Sequence, residues 1–215
     1  MPANTPIFGF PYPLGTDPVA QGDNVIQELA EDVEAVISTQ VGLRRVTTCT
    51  VGTFSGGTSP TASNGVVTIG TSNTSVEVAN AFSTTFDNYL ITVTGCTPSA
   101  NVDLRLRLGA KTTNYQWGLT YNAYNSTPSA LGSATDTHFR YMQGLSVGAK
   151  FDTQITVLSP WLTQPTRVAA FYCDGGAAGH TSGFDATSTS YTSFQLAVTS
   201  GNLTGGVIRV YGYTN

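Results

Sequence analysis

Charge is scarce in this 215-residue chain: nine Lys and Arg and thirteen Asp and Glu, 10% of the residues, leave a formal net charge of −4. Binding of DNA or RNA needs a clustered basic face, so nucleic acid is not an expected partner. No apolar run approaches the roughly 20 residues that cross a bilayer. The opening MPANTPIFGFPYP has neither a basic start nor a continuous apolar stretch, so membrane insertion and an export signal are not expected. Cysteine is sparse as well. Cys49, Cys96 and Cys173 are far apart, odd in number and set beside β-branched or aromatic residues, a pattern of buried small hydrophobes rather than of a disulfide framework. With only His138 and His180 and no cysteine pair at zinc spacing, neither a metal site nor a cofactor is expected.

Catalytic signatures are missing too. There is no phosphate-binding loop, dinucleotide fingerprint or EF-hand loop. GHTSG at 179–183 lacks the glycine that a nucleophile elbow places two residues before its serine, and its Gly-rich setting reads as an exposed loop. The acids from residue 44 onward stand mostly beside turns and suggest no facing pair for glycosidase chemistry, so no enzymatic activity is expected.

What is abundant is Thr (34), Ser (18) and Gly (23), a composition of short strands joined by polar turns. Three pieces separate along the chain. Residues 1–22 hold Pro2, Pro6, Pro11, Pro13 and Pro18 interleaved with Phe8, Phe10 and Tyr12. Proline at this density forbids a helix and removes sheet donors, so the segment is expected to be extended and to bury its rings against another surface. Residues 23–43 open on a capping Asp23-Asn24 and place Ile26, Leu29, Val33 and Val36 at alternate three- and four-residue steps, with Leu43 continuing the stripe. Such a narrow stripe on a short helix predicts a stem that needs partners, and its β-branched residues favour three copies. Residues 1–43 carry six acids and no base, whereas residues 44–215 carry all nine bases against seven acids.

From Arg45 on, about ten short strands with no helices between them predict an antiparallel β-sandwich or jelly-roll head over 44–215. The expected strands are 46–51, 66–69, 75–78, 89–94, 102–108, 115–124, 151–158, 167–173, 193–198 and 207–213. SGGTSPTASNG, NSTPSALGSATD and CDGGAAGHTSG read as loops. Tyr115, Trp117, Leu119 and Tyr121 share one face of a strand. Trp117, Tyr121 and Tyr124 are the candidate contacts for a host-surface glycan, which aromatic rings and neighbouring amides suit, against the alternative that this face is core or a contact between protomers. The loops 124–136 and 173–187 are the other candidate contacts.

PYPLGTDPVAQGDNVIQELAEDVEAV, residues 11–36, resembles the N-terminal stem of tail-fibre and minor tail proteins of bacteriophages that infect actinobacteria, through Pro11, Tyr12, Pro13, Asp17, Pro18, Val19, Ala20, Gln21, Gly22, Ile26, Leu29, Ala30 and Val33. FDNYLITVTG, LRLRLGA, NYQWGLTYNAY and GGVIRVYGYTN resemble the β-sandwich heads of the same proteins. The resemblance implies a homotrimeric virion structural protein, attached to other tail or capsid proteins through Phe8, Phe10, Tyr12, Pro13, Asp17 and Pro18, with a distal head that faces the host surface. A capsid-attached fibre or decoration protein is the alternative with the same plan.

Overall fold

The computed structural model describes residues 3–4, 11–12, 26, 28–33 and 42–213, and divides the chain into two compact units between Leu43 and Arg44. In the first, strands β1 (Ala3–Asn4) and β2 (Pro11–Tyr12) pair antiparallel, Ala3 opposite Tyr12 and Asn4 opposite Pro11. Residues 26 and 28–33 are helical. Leu43, expected at the end of the helix, lies instead in strand β3 (Leu43–Arg45).

The second unit is mainly β. Its strands are β4 (Thr50–Ser55), β5 (Thr61–Ser63), β6 (Val66–Thr68), β7 (Ser75–Ala79), β8 (Asn88–Pro98), β9 (Val102–Leu108), β10 (Tyr115–Ala123) and β11 (Ser129–Asp136). They continue with β12 (Phe139–Leu145), β13 (Phe151–Leu158), β14 (Thr166–Cys173), β15 (Ala177–Asp185), β16 (Phe194–Ala197), β17 (Leu203–Thr204) and β18 (Val207–Tyr213). One sheet runs in the order β11-β10-β15-β14-β13-β8-β18-β6-β5, with β17 also against β8, and a five-stranded sheet runs β12-β9-β16-β7-β4. The pairs within both are antiparallel.

Alternation decides which side chains go inside. On β8 Tyr89, Ile91, Val93 and Cys96 are buried, and on β9 Leu104, Leu106 and Leu108. They join Val76 and Val78, Ile155 and Val157, Phe194 and Leu196, and Ile208 and Val210 in one core supplied by both sheets. Each such aliphatic contributes about 1.5–3 kcal/mol on burial. Edge-to-face ring pairs complete this core, Phe82 on Tyr89 at 4.8 Å and Tyr115 on Phe139 at 4.6 Å between ring centroids.

Several stretches expected to be loops are strands. Asn64 and Gly65, both with positive φ, make the two-residue turn of the β5–β6 hairpin. SALGSATD forms the edge strand β11. The Gly-rich AAGHTSGFD is β15, paired along its length between β10 and β14. Its glycines mark close approach rather than turning: a Cβ on Gly183 would sit 2.3 Å from Cδ1 of Phe139 and 2.8 Å from a methyl of Val168. Phe139 is fully buried and has nowhere to swing. Gly183→Ala is therefore expected to lower stability by about 1–3 kcal/mol, the usual cost of overpacking, measured as a fall in urea midpoint at constant slope. An unchanged midpoint would show that the Phe139 ring moves freely.

Candidate functional site

The N-terminal candidates divide. Phe8, Phe10, Pro13, Asp17, Pro18 and Val36 lie outside the described residues, and Tyr12 lies in β2. Of the stem stripe, Ile26 is 62% exposed and Leu29 and Val33 are half-buried on the helical segment.

The aromatic candidates also part company. β10 sends Tyr115, Trp117 and Leu119 inward and leaves Gln116, Gly118 and Thr120 outside. Trp117 is 8% exposed, its Nε1 donates to Asp136 Oδ2 at 3.0 Å, and its ring meets Tyr141 at 5.2 Å and the Arg140 guanidinium at 5.7 Å. Its faces are thus occupied. Tyr121 is half-buried, 6.3 Å from the Tyr172 ring. Tyr124 is exposed, and its hydroxyl donates to the Asp174 carbonyl at 3.2 Å, tying together two of the candidate loops. Of the three rings it alone stands open to solvent. The candidate loops themselves shrink, because β11 and β15 occupy most of them.

The outer face of the larger sheet carries a set of residues not expected from sequence. Thr120, His180 and Phe171 stand opposite one another on β10, β15 and β14, and Gln154, Thr92 and Arg209 do so on β13, β8 and β18. Phe171 and Gln154 follow directly on the registered pair Ala170–Ile155, so the two triples form one row across six strands. Phe171 is 74% exposed, edge-on to His180 at 5.9 Å. Beside it lies a groove of about 940 Å³, whose lining includes Thr92, Lys150, Gln154, Phe171, Arg209 and Tyr211. A signal for Phe171 was present: in RVAAFYC it shares Arg167's phase, and a strand of period two that exposes Arg167 exposes Phe171 and Cys173 as well. Cys173 is accordingly exposed, against the expectation that all three thiols are core. Cys49 and Cys96 are buried, and burial pushes both thiols up to about 11.

The acids are bound up in hydrogen bonds. Burial would raise the Asp174 carboxyl, but Tyr172 Oη at 2.7 Å and the Gly176 and Ala177 amides, both at 2.7 Å, hold it below the usual range. It is an acceptor and not a proton donor at neutral pH. Glu77 is held low in the same way, against its own burial, by Thr53 and Ser193. Asp185 is fully buried. It pairs with Lys111 and accepts from Tyr191 Oη at 2.5 Å, Thr187 Oγ1 at 2.8 Å and the Thr187 amide at 2.9 Å. Burial opposes ionisation here too, yet those partners, Lys111 first, keep the carboxyl below its ordinary value. The hydroxyls of Tyr115 and Tyr191 are pushed up by burial, with Asp185 adding to both. Among the described residues, no group of three or more His, Cys, Asp and Glu side chains is placed to hold a metal ion.

No protein-family model matches the chain, and no curated protein matches it.

The Asp185 network fixes a pH dependence. Its folded-state pKa is depressed, so its stabilisation is fully present above the unfolded value of about 3.9 and is lost as pH falls through the folded pKa. Asp185→Asn leaves Lys111, only 13% exposed, without its counter-ion, and is expected to cost about 3–5 kcal/mol at neutral pH. The same variant should show a shallower fall in stability below about pH 4 than the parent chain, read from urea midpoints across pH. Parallel acid limbs in the two proteins would remove Asp185 as a source of acid sensitivity.

Proposed function

We propose that this chain is a non-enzymatic structural protein of a bacteriophage virion, a trimeric tail-fibre or minor tail protein joined to its neighbours by the N-terminus and presenting its β head outward. The observation that carries the reading is the uncovered apolar stripe of the helical segment. Ile26 is 62% exposed, and Leu29 and Val33 keep part of their surface open; the short helix expected from the sequence over 23–43 is marginal without partners. Two further copies of the same stripe would cover it. The resemblance of residues 11–36 to phage stem segments supports the same assignment.

The strand order supports a jelly-roll head. β6-β18-β8-β13 in one sheet and β7-β16-β9-β12 in the other is the order of an eight-stranded jelly roll, into which β10–β11 and β14–β15 are inserted as pairs that extend one sheet. A head of this kind solves the solubility problem with hydroxyls rather than charge, which suits close packing of identical copies.

Assembly is the test. The full chain is expected to sediment at three times its 22.5 kDa mass. Leu29→Asp, which would set a carboxylate among its copies at the cost of several kcal/mol, should sediment as a monomer with its β head intact by circular dichroism. A parent chain that is monomeric, or a Leu29→Asp chain that remains trimeric, overturns the stem. Virions assembled with a chain lacking residues 1–22 should contain none of it, and normal incorporation would overturn the anchor.

A further inference from the structure

The groove on the outer face of the larger sheet has the chemistry of a ligand site, and its parts come from four neighbouring strands. Phe171 on β14 offers an open aromatic ring, 74% exposed. Gln154 on β13, Thr92 on β8 and Arg209 on β18 follow it across the sheet in one row. At the usual strand spacing the row from β14 to β18 spans about 14 Å, the length of a short oligosaccharide rather than of a single ring. An aromatic platform followed by an amide, a hydroxyl and a guanidinium suits a chain of rings with one apolar face and equatorial hydroxyls.

The charges in the groove are formally balanced, Lys150 and Arg209 against Asp152 and Asp174, but they are not equally available. All of Asp174's oxygens are engaged by Tyr172, Gly176 and Ala177, and Asp152 Oδ1 accepts from the Gly95 amide at 2.8 Å. Lys150 has no ion pair or hydrogen bond among the described residues, and Arg209 only reaches Thr94 Oγ1 at 3.3 Å through one nitrogen. Both carboxylate oxygens of Asp174 and one of Asp152 are thus taken by the protein's own donors, whereas Lys150 and most of the Arg209 guanidinium keep donors without a protein acceptor among the described residues.

We propose that this groove binds an anionic glycan chain, with Phe171 stacking on a sugar face, Gln154 and Thr92 hydrogen-bonding its hydroxyls, and Arg209 and Lys150 taking a carboxylate or phosphate substituent. The proposal rests on the reading of the head as the outward part of the molecule and deepens it: the contact is the groove at Phe171 and Arg209, and not the buried Trp117. Arg209 supplies charge-assisted donors, which is the interaction that distinguishes an anionic from a neutral chain.

The experiment is a titration of the full chain with three probes: trigalacturonate, a phosphorylated maltotriose, and neutral maltotriose. One anionic probe is expected to bind at least about tenfold more tightly than maltotriose, and which of the two does so separates a uronate from a phosphate source. Arg209→Gln should abolish that preference, and Phe171→Ala should weaken binding of the preferred probe by about tenfold while sedimentation and urea midpoint stay unchanged. No preference for either anionic probe, or binding unaffected by both variants, overturns the proposal. So does loss of the oligomer in Phe171→Ala, which would make this face a contact between copies. A monomeric chain that binds an anionic probe keeps the groove and overturns the trimer, whereas a trimer that binds none does the reverse, so the two readings fail separately.

Discussion

The rest of the second unit depends on β8. It is the longest strand, 11 residues, and it is hydrogen-bonded to β13 on one side and to β18 on the other, with β17 at its far end. Its buried residues Tyr89, Ile91 and Val93 alternate strictly with half-exposed ones up to the bulge at Gly95, beyond which Cys96 is buried again. Because the side-chain period of a strand is two, the face that seals the core also fixes what β8 presents outward, namely Leu90, Thr92 and Thr94. Slipping β13 or β18 by one residue would expose Ile155 or Val210 and bury Gln154 or Arg209, so core packing holds the outer groove in register.

The inserted pairs β10–β11 and β14–β15 widen the sheet, and they need a different kind of fastening. Their inner face adds rings to its aliphatics: Trp117 on β10 and Tyr172 on β14 meet Tyr141 of β12 at 5.2 and 6.0 Å, with Arg140 lying against Trp117 and Tyr141. Tyr141 adopts a positive φ of 57°, and its carbonyl accepts from Thr181 Oγ1 at 2.7 Å, which links β12 to β15 across the sheets. A non-glycine residue in that conformation is held by its surroundings, and here the surroundings are this ring cluster. Asp185 closes the same region from the other end by gathering Lys111, Thr187 and Tyr191 onto one carboxylate.

Legibility in the sequence followed the strength of alternation. VDLRLRL alternates apolar and polar residues without a break and FDTQITVL and VIRVYGY do so over part of their length, and β9, β13 and β18 have the bounds expected for them, 102–108, 151–158 and 207–213. SALGSATD has one large apolar residue, Leu131, and AAGHTSG none, so neither shows an alternation, and their glycines read as turns. Gly183 is there because Phe139 lies against its α-carbon, a reason that belongs to another strand 44 positions away and leaves no trace nearby. The Tyr115-Trp117-Leu119 face was legible as a face, but whether it turned toward solvent or core was not, because the decision rests on Phe139 and Tyr141 of β12.

The sequence by itself determined a β-rich second unit, the separate character of the first 43 residues, the phase of the central strands and the identity of most of the core, because these depend on local propensity and on period-two patterning. The phase shared with Arg167 marked Phe171 as outward, but only tertiary structure decided that its ring stays open while that of Trp117 is enclosed. Phe171 and Trp117 both sit at alternating positions of strands with similar neighbours, yet one is 74% and the other 8% exposed. The difference arises because β12 packs over the inner face of β10 and β14, while among the described residues nothing covers the outer face. Assembly of the row from Thr120 to Arg209 likewise needs six strands brought side by side from positions 92 to 209, and only the sheet order does that.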